Sequence, residues 1–244
     1  MSEKIQFFPL DATYKVTDGK ASIVLFGKTA DGKQISVIDG NFEPYFYAVP
    51  KEGANIIEKL EKIRIENEEG VSYVTRAESI IKKFLGKEVF AVKVYTNLPS
   101  GVPVIKEIVK EWDIIESAHE FDIPFARRYL IDKNITPIVL CQAAGNFISQ
   151  KSRALVFSAE SMEQAGTDTL QNPKVLAFDI ETYSNLDMAI DAGKNPIIML
   201  SFYGENFRKV FVWKKFETSL DFVEFVESEE KLIEKFKETI ESFK

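Results

Sequence analysis

Hydrophobic and polar positions alternate with a short period over the first fifty residues, and Asp-Gly pairs interrupt the alternation. Asp18-Gly19 precedes the run Ala21 to Gly27, and Asp31-Gly32 precedes Gln34 to Ile38. Asp-Gly between apolar runs signals a hairpin, because such turns need positive φ. The pattern predicts a small antiparallel barrel or sheet over residues 5–50, with Pro44 opening the strand Tyr45 to Val49, where its missing N–H is tolerated. The period then lengthens. Ile56, Ile57, Leu60 and Ile63 predict a helix over 54–67, strands follow at 72–84 and 88–96 around the turn Leu85-Gly86-Lys87, and Val104, Ile105, Ile108 and Val109 predict a second helix after Pro99-Ser100-Gly101. A strand at 114–121 completes βαββαβ, the ferredoxin-like order.

Asp122 to Asp132 reads as a short helix entered through Pro124, with Asp122 as its N-cap. Periodicity weakens over 139–172, apart from a strand at 153–158. Residues 135–172 are therefore expected to connect two domains, the first over 1–134 and the second over 173–244. The second opens with an apolar strand at 174–182, continues with strands at 197–203 and 209–213 after the break Asn195-Pro196, and closes with an amphipathic helix at 228–243 that buries Leu232, Ile233, Phe236 and Ile240. Strands followed by a helix are how a ribonuclease-H-like domain begins. The fold class expected is α+β and α/β.

The strand at 174–182 carries the chemistry. Side chains alternate across a strand, so Val175, Ala177, Asp179 and Glu181 share one face, and Leu176, Phe178 and Ile180 the other. Two neighbouring carboxylates repel unless a cation lies between them, and Mg²⁺ prefers oxygen ligands. The spacing alone also fits a strand that surfaces and carries solvated acids.

Composition narrows the alternatives. One cysteine, Cys141, permits no internal disulfide, and with a single histidine, His119, no Cys/His zinc site can form, so any metal must be held by oxygens. Cys141 is expected to be an incidental thiol rather than a nucleophile, since no second histidine or flanking basic pair activates it. The formal charge of −7 argues against nucleic-acid binding by bulk electrostatics, leaving Lys82, Lys83, Lys87 and Lys93, and the pair Arg127 and Arg128, as local basic groups or ordinary solvated faces. No membrane-spanning run or leader is apparent, and a cytoplasmic location is expected. Tyr45, Tyr47, Phe90 and Tyr95 lie on the ferredoxin-like strands, placed either for base stacking or for the core.

Four stretches in order resemble the amino-terminal part of archaeal family B DNA polymerases. Phe42 to Ala48 is similar to that family's Phe-Arg-Pro-Tyr-Ile-Tyr-Ala, Lys82 to Lys87 to its hairpin, Asp122 to Lys133 is nearly its wording, and Lys174 to Thr182 is similar to its first exonuclease motif, followed by Pro196 to Met199. The resemblance implies a template-binding domain followed by the start of a 3′-to-5′ proofreading exonuclease. It implies that Asp179 and Glu181 bind Mg²⁺ or Mn²⁺ and serve catalysis, and that DNA, the remaining polymerase polypeptide and a sliding clamp are partners. The family's other exonuclease motifs would lie beyond Lys244, so this chain alone is expected to be catalytically silent. The resemblance further implies capture of template uracil in a pocket involving Tyr14, Pro44, Tyr45, Ala91 and Ile114. Three departures bear on that pocket: Glu88 and Asp113 stand where the family has prolines, and Ala91 where it has valine. A stand-alone nucleic-acid-binding module is the alternative.

Overall fold

The computed structural model describes residues 2–67, 70–149, 154–184 and 189–243. The chain divides into two compact units, Met1–Leu170 and Gln171–Lys244. The first runs β1 (Glu3–Thr17), β2 (Lys20–Thr29), β3 (Gln34–Asp39), β4 (Tyr45–Pro50), α1 (Ile57–Leu60), β5 (Arg64–Asn67), β6 (Gly70–Phe84), β7 (Lys87–Thr96), α2 (Gly101–Lys110), β8 (Ile115–His119), α3 (Phe125–Asp132), β9 (Val139–Phe147) and β10 (Leu155–Thr169). The second runs β11 (Leu176–Thr182), β12 (Ile197–Gly204), β13 (Phe207–Val212), β14 (Val223–Phe225) and α4 (Glu229–Ser242).

Five strands close a barrel in the order β1-β2-β3-β10-β9. The turn between β1 and β2 has positive φ at both Asp18 and Gly19, as the dipeptide requires. The stretch expected to be a connector instead supplies β9 and β10. Its inward positions on β9 are Val139, Cys141, Ala143 and Gly145, an alternation of mostly small residues that fills a tight interior without reading as apolar in sequence. The part of the expected 153–158 strand at Arg153 lies outside the described residues, and β10 runs far past its expected end. Phe7, Ile23, Leu25, Ile35, Val37 and Phe157 fill the core, and α3 adds Phe125 and Tyr129. Tyr129 donates to the buried Asp39 carboxylate at 2.8 Å, which satisfies both polar groups.

Between β3 and β9 the chain builds a five-stranded sheet, β5-β6-β7-β4-β8. The helix expected over 54–67 shrinks to α1, and β5 takes its second half: Arg64 to Asn67 pair antiparallel with Gly70 to Tyr73. Ile56, Leu60 and Ile63 are all buried in one core, which the helical spacing reports equally well for a short helix and a strand entry. On α2 the buried set is Gly101, Val102, Ile105, Lys106 and Val109, so Val104 and Ile108 face outward, contrary to expectation. Pro124, not Asp122, occupies the N-cap position of α3. The helices cover one sheet face; the other carries Tyr45, Tyr47, Val49, Ala91 and Tyr95.

In the second unit β11, β12 and β13 pair antiparallel, and β14, which had no signal in the sequence, joins β13 in parallel. Ser228 caps α4 by accepting from the Lys231 amide at 3.3 Å. The α4 stripe is Leu232, Phe236 and Thr239, with Ile233 and Ile240 outside it. Phe236 stacks on Phe202 with ring centroids 5.8 Å apart. One sheet face is thereby covered, and the other remains open.

Candidate functional site

Asp179 and Glu181 stand on β11 two positions apart, which puts both carboxylates on one face. Register sets Asp179 opposite Ser201 and Glu181 opposite Met199 on β12. Both acids are exposed, and β11 is an edge strand: among the described residues its outer side has no partner. On the other face Phe178 reaches Phe236, ring centroids 5.1 Å apart, yet stays 55% exposed, and Ile180 is 47% exposed. The Asp179 Oδ1 accepts from the Ile180 amide at 2.9 Å, which leaves its second oxygen available. Among the described residues neither acid forms an ion pair. Two hard carboxylate donors on one solvent-facing surface fit a hard divalent cation, but as part of a coordination shell. No group of three or more His, Cys, Asp or Glu comes together among the described residues.

A separate cleft of about 300 Å³ lies in the first unit, where Tyr14, Pro44 and Tyr45 meet Phe121, Ile123, Pro124, Phe125 and Arg128. Three of the five residues expected to form a base pocket are therefore brought together. Ala91 is buried in the same cluster as Tyr45, but four positions along β7 from Tyr95, the residue opposite Tyr45, and it does not line the cleft. Ile114 does not line it at all: it precedes β8, and its carbonyl accepts from the Lys51 amide at 2.9 Å. The cleft is lined on that side of the chain by Ile123, Pro124 and Phe125. The signal was available, because Asp122 to Lys133 is the most complete of the four stretches of resemblance.

Cations crowd the tyrosine face beside this cleft. Arg76 lies 3.3 Å over the Tyr95 ring, Lys82 3.8 Å over Tyr47, and Lys93 3.8 Å over Tyr45. Tyr45, Tyr47 and Tyr95 are nearly inaccessible, so they are core residues capped by cations rather than free stacking platforms. Arg128 donates to Glu120 and to the Tyr45 hydroxyl, and Lys82 pairs with Glu120 at 2.7 Å. Burial opposes ionisation of Glu120, but hydrogen bonds from Lys82 and Arg128 outweigh it and hold the carboxyl below its ordinary value. Burial and the bond to Asp132 push the Tyr45 phenol up, keeping it a neutral donor. Burial lowers Lys93, which makes no ion pair among the described residues. The Cys141 thiol, pushed up to about 11 by burial, is inert.

A family model for the exonuclease domain of DNA polymerase family B matches residues 116–244, more than half of the chain. The chain belongs to DNA polymerase family B. It is 35% identical over 227 residues to a DNA polymerase of Thermococcus sp. (strain GE8), covering 93% of this chain and 11% of the relative, and 34% identical over 232 residues to one of Desulfurococcus sp. (strain Tok), covering 95% and 26%. The family B DNA polymerase of Pyrobaculum calidifontis superposes with a TM-score of 0.68 at 25% identity, over 98% of this chain and 29% of that one. The chain thus spans about a quarter or less of the length of these curated relatives. In this family B chain, β11 with Asp179 and Glu181 falls inside the matched exonuclease region. No helix among the described residues is long and apolar enough to cross a membrane.

Proposed function

We propose that this chain is the amino-terminal part of a DNA-directed DNA polymerase, with a template-binding first unit and a second unit that supplies part of a 3′-to-5′ exonuclease site. The observation that carries this is the placement of Asp179 and Glu181 on the open face of an edge strand within the matched exonuclease region. Mg²⁺ or Mn²⁺ bound there would activate water and neutralise charge on a phosphodiester. The chain's own part is to present the two carboxylates on one side, with the Ile180 amide fixing the orientation of Asp179. Two carboxylates make half a site, which supports a chain that is catalytically silent by itself and relies on further polymerase polypeptide. Titration with Mn²⁺, followed by paramagnetic broadening of the Asp179 and Glu181 resonances, tests the reading. Weak binding lost in Asp179→Asn supports it; broadening confined to other acids overturns it.

In the first unit, the strand order β8-β4-β7-β6 with α1 and α2 on one face supports a ferredoxin-like sheet set into the barrel. The cleft between them would take a template base, uracil included, with Tyr14, Pro44 and Tyr45 as walls and Arg128 near the backbone. Single-stranded DNA is the partner this implies; a sliding clamp would be engaged elsewhere in the assembled polymerase. A stand-alone nucleic-acid-binding module is the second reading, favoured by a cleft built from this chain alone.

A further inference from the structure

A groove of about 280 Å³ opens on the Asp179 face of the second sheet, lined by Ala177, Ser201, Tyr203, Arg208, Val210 and Phe222 among others. Register arranges it in two rows. Asp179, Ser201 and Val210 are mutually opposite across three strands, and Ala177, Tyr203 and Arg208 form the adjacent row, about 7 Å along the strands. The second row has no role in the carboxylate chemistry. Tyr203 is 67% exposed, which for a large ring on an open sheet face leaves a planar surface uncovered. Arg208 directly opposite lies 4.0 Å over the Phe222 ring. That contact steadies the guanidinium plane, Arg208 is exposed, and among the described residues it makes no ion pair.

We infer that Tyr203 and Arg208 form a nucleotide subsite beside Asp179, taking one nucleoside 5′-monophosphate unit with its base on the tyrosine and its phosphate on the arginine. Directly opposite side chains on neighbouring strands start about 5 Å apart, so the two reach parts of one nucleotide rather than two separate ligands. Tyrosine stacks on any base, which makes the subsite tolerant of sequence. The arginine fork selects the phosphate. Asp179 lies one row away, so the nucleotide seated here keeps its own 5′-phosphate on Arg208, clear of the carboxylate, and presents its 3′-oxygen–phosphorus bond, the one hydrolysed, toward Asp179. The inference rests on the exonuclease reading and adds to it the group that seats the nucleotide.

The test is a fluorescence titration of 2-aminopurine deoxyriboside 5′-monophosphate onto the full chain in EDTA. Binding with quenching is expected, weakened at least about fivefold in Tyr203→Ala and in Arg208→Ala and retained in Tyr203→Phe. The nucleoside without phosphate should bind more weakly and be insensitive to Arg208→Ala. Thermal unfolding of each variant guards against loss of the fold, and Arg208→Lys and Tyr203→Phe serve where an alanine variant unfolds. A chain that binds Mn²⁺ but not the nucleotide, or nucleotide affinity unchanged in both the Tyr203 and the Arg208 variants, overturns this inference alone. Nucleotide binding in EDTA without any Mn²⁺ binding overturns the metal reading instead.

Discussion

Arg128 on α3 meets Tyr45 on β4, 83 positions earlier in the chain: its Nη1 donates to the tyrosine hydroxyl at 3.3 Å, and its guanidinium lies 4.7 Å over the ring. The same nitrogen bonds Glu120, and Nη2 donates to the Glu120 carbonyl at 2.9 Å. One buried cation thus ties the helix that enters the barrel core to β4, an interior strand of the sheet. Arg128→Ala leaves Glu120 short of a partner and should lower the unfolding free energy by about 2–4 kcal/mol, read by urea titration. Arg128→Met, which keeps the volume but not the charge, should cost less than the alanine. Equal stability of all three proteins would show that the network contributes nothing.

The charged network also sets an acid limit. Glu120 is held below its ordinary value of 4.5, so its contribution is fully present above that pH and is lost as the pH falls through the lower folded value. Glu78 behaves alike, lowered chiefly by the hydrogen bond from Tyr95. Stability measured between pH 6 and 3 should decline, and Glu120→Gln should flatten that decline while lowering the plateau. A slope identical to the parent would remove Glu120 as its source.

Two glycines report on how tightly the barrel is wound. A Cβ on Gly27 would stand 2.4 Å from the Phe8 carbonyl oxygen, and one on Gly145 would stand 1.9 Å from that of Ser158. Neither oxygen can withdraw without breaking a ladder. Gly27→Ala and Gly145→Ala should each destabilise by more than about 2 kcal/mol, whereas Gly166→Ala, with open space around it, should change stability by less than about 0.5 kcal/mol in a thermal melt.

For the cleft in the first unit, single-stranded DNA carrying one uracil should bind more tightly than the same strand with thymine at fixed salt, and Tyr14→Ala or Pro44→Ala should narrow the difference. Ile114→Ala, in a residue that does not line the cleft, should leave it unchanged. Equal affinity for both strands would end the uracil proposal without touching the fold.

Some of these features were legible in the chain and some were not. The Asp18-Gly19 hairpin and the alternation at Leu176 to Thr182 both arise from local chemistry, which sequence expresses directly. The closing strands were hidden because Cys141, Ala143 and Gly145 are small: what makes them fit inside a barrel also removes the apolar signal. The end of α1 was hidden because Ile63 is buried in either conformation, and only pairing with β6 decides between them. At the carboxylates the face was readable from period two alone. The row containing Tyr203 and Arg208 needed the register of three strands, which no single segment encodes.

The barrel's closure imposes an order of birth. On a ribosome, β1, β2 and β3 emerge as a curled sheet whose two free margins await strands that lie a hundred residues downstream, beyond the whole of the β4–β8 sheet and α3. Until Leu155 to Ala159 arrive to pair in parallel with Ile35 to Asp39, those margins are open to any passing strand. The intervening sheet can fold first from largely local hairpins, and the barrel, although its first three strands precede that sheet, finishes later. A nascent chain arrested near residue 160, where β8 has cleared the exit tunnel and β9 and β10 have not, should therefore hold a protected β4–β8 sheet and an exchange-labile β1, and β1 should become protected only once β10 has cleared the tunnel.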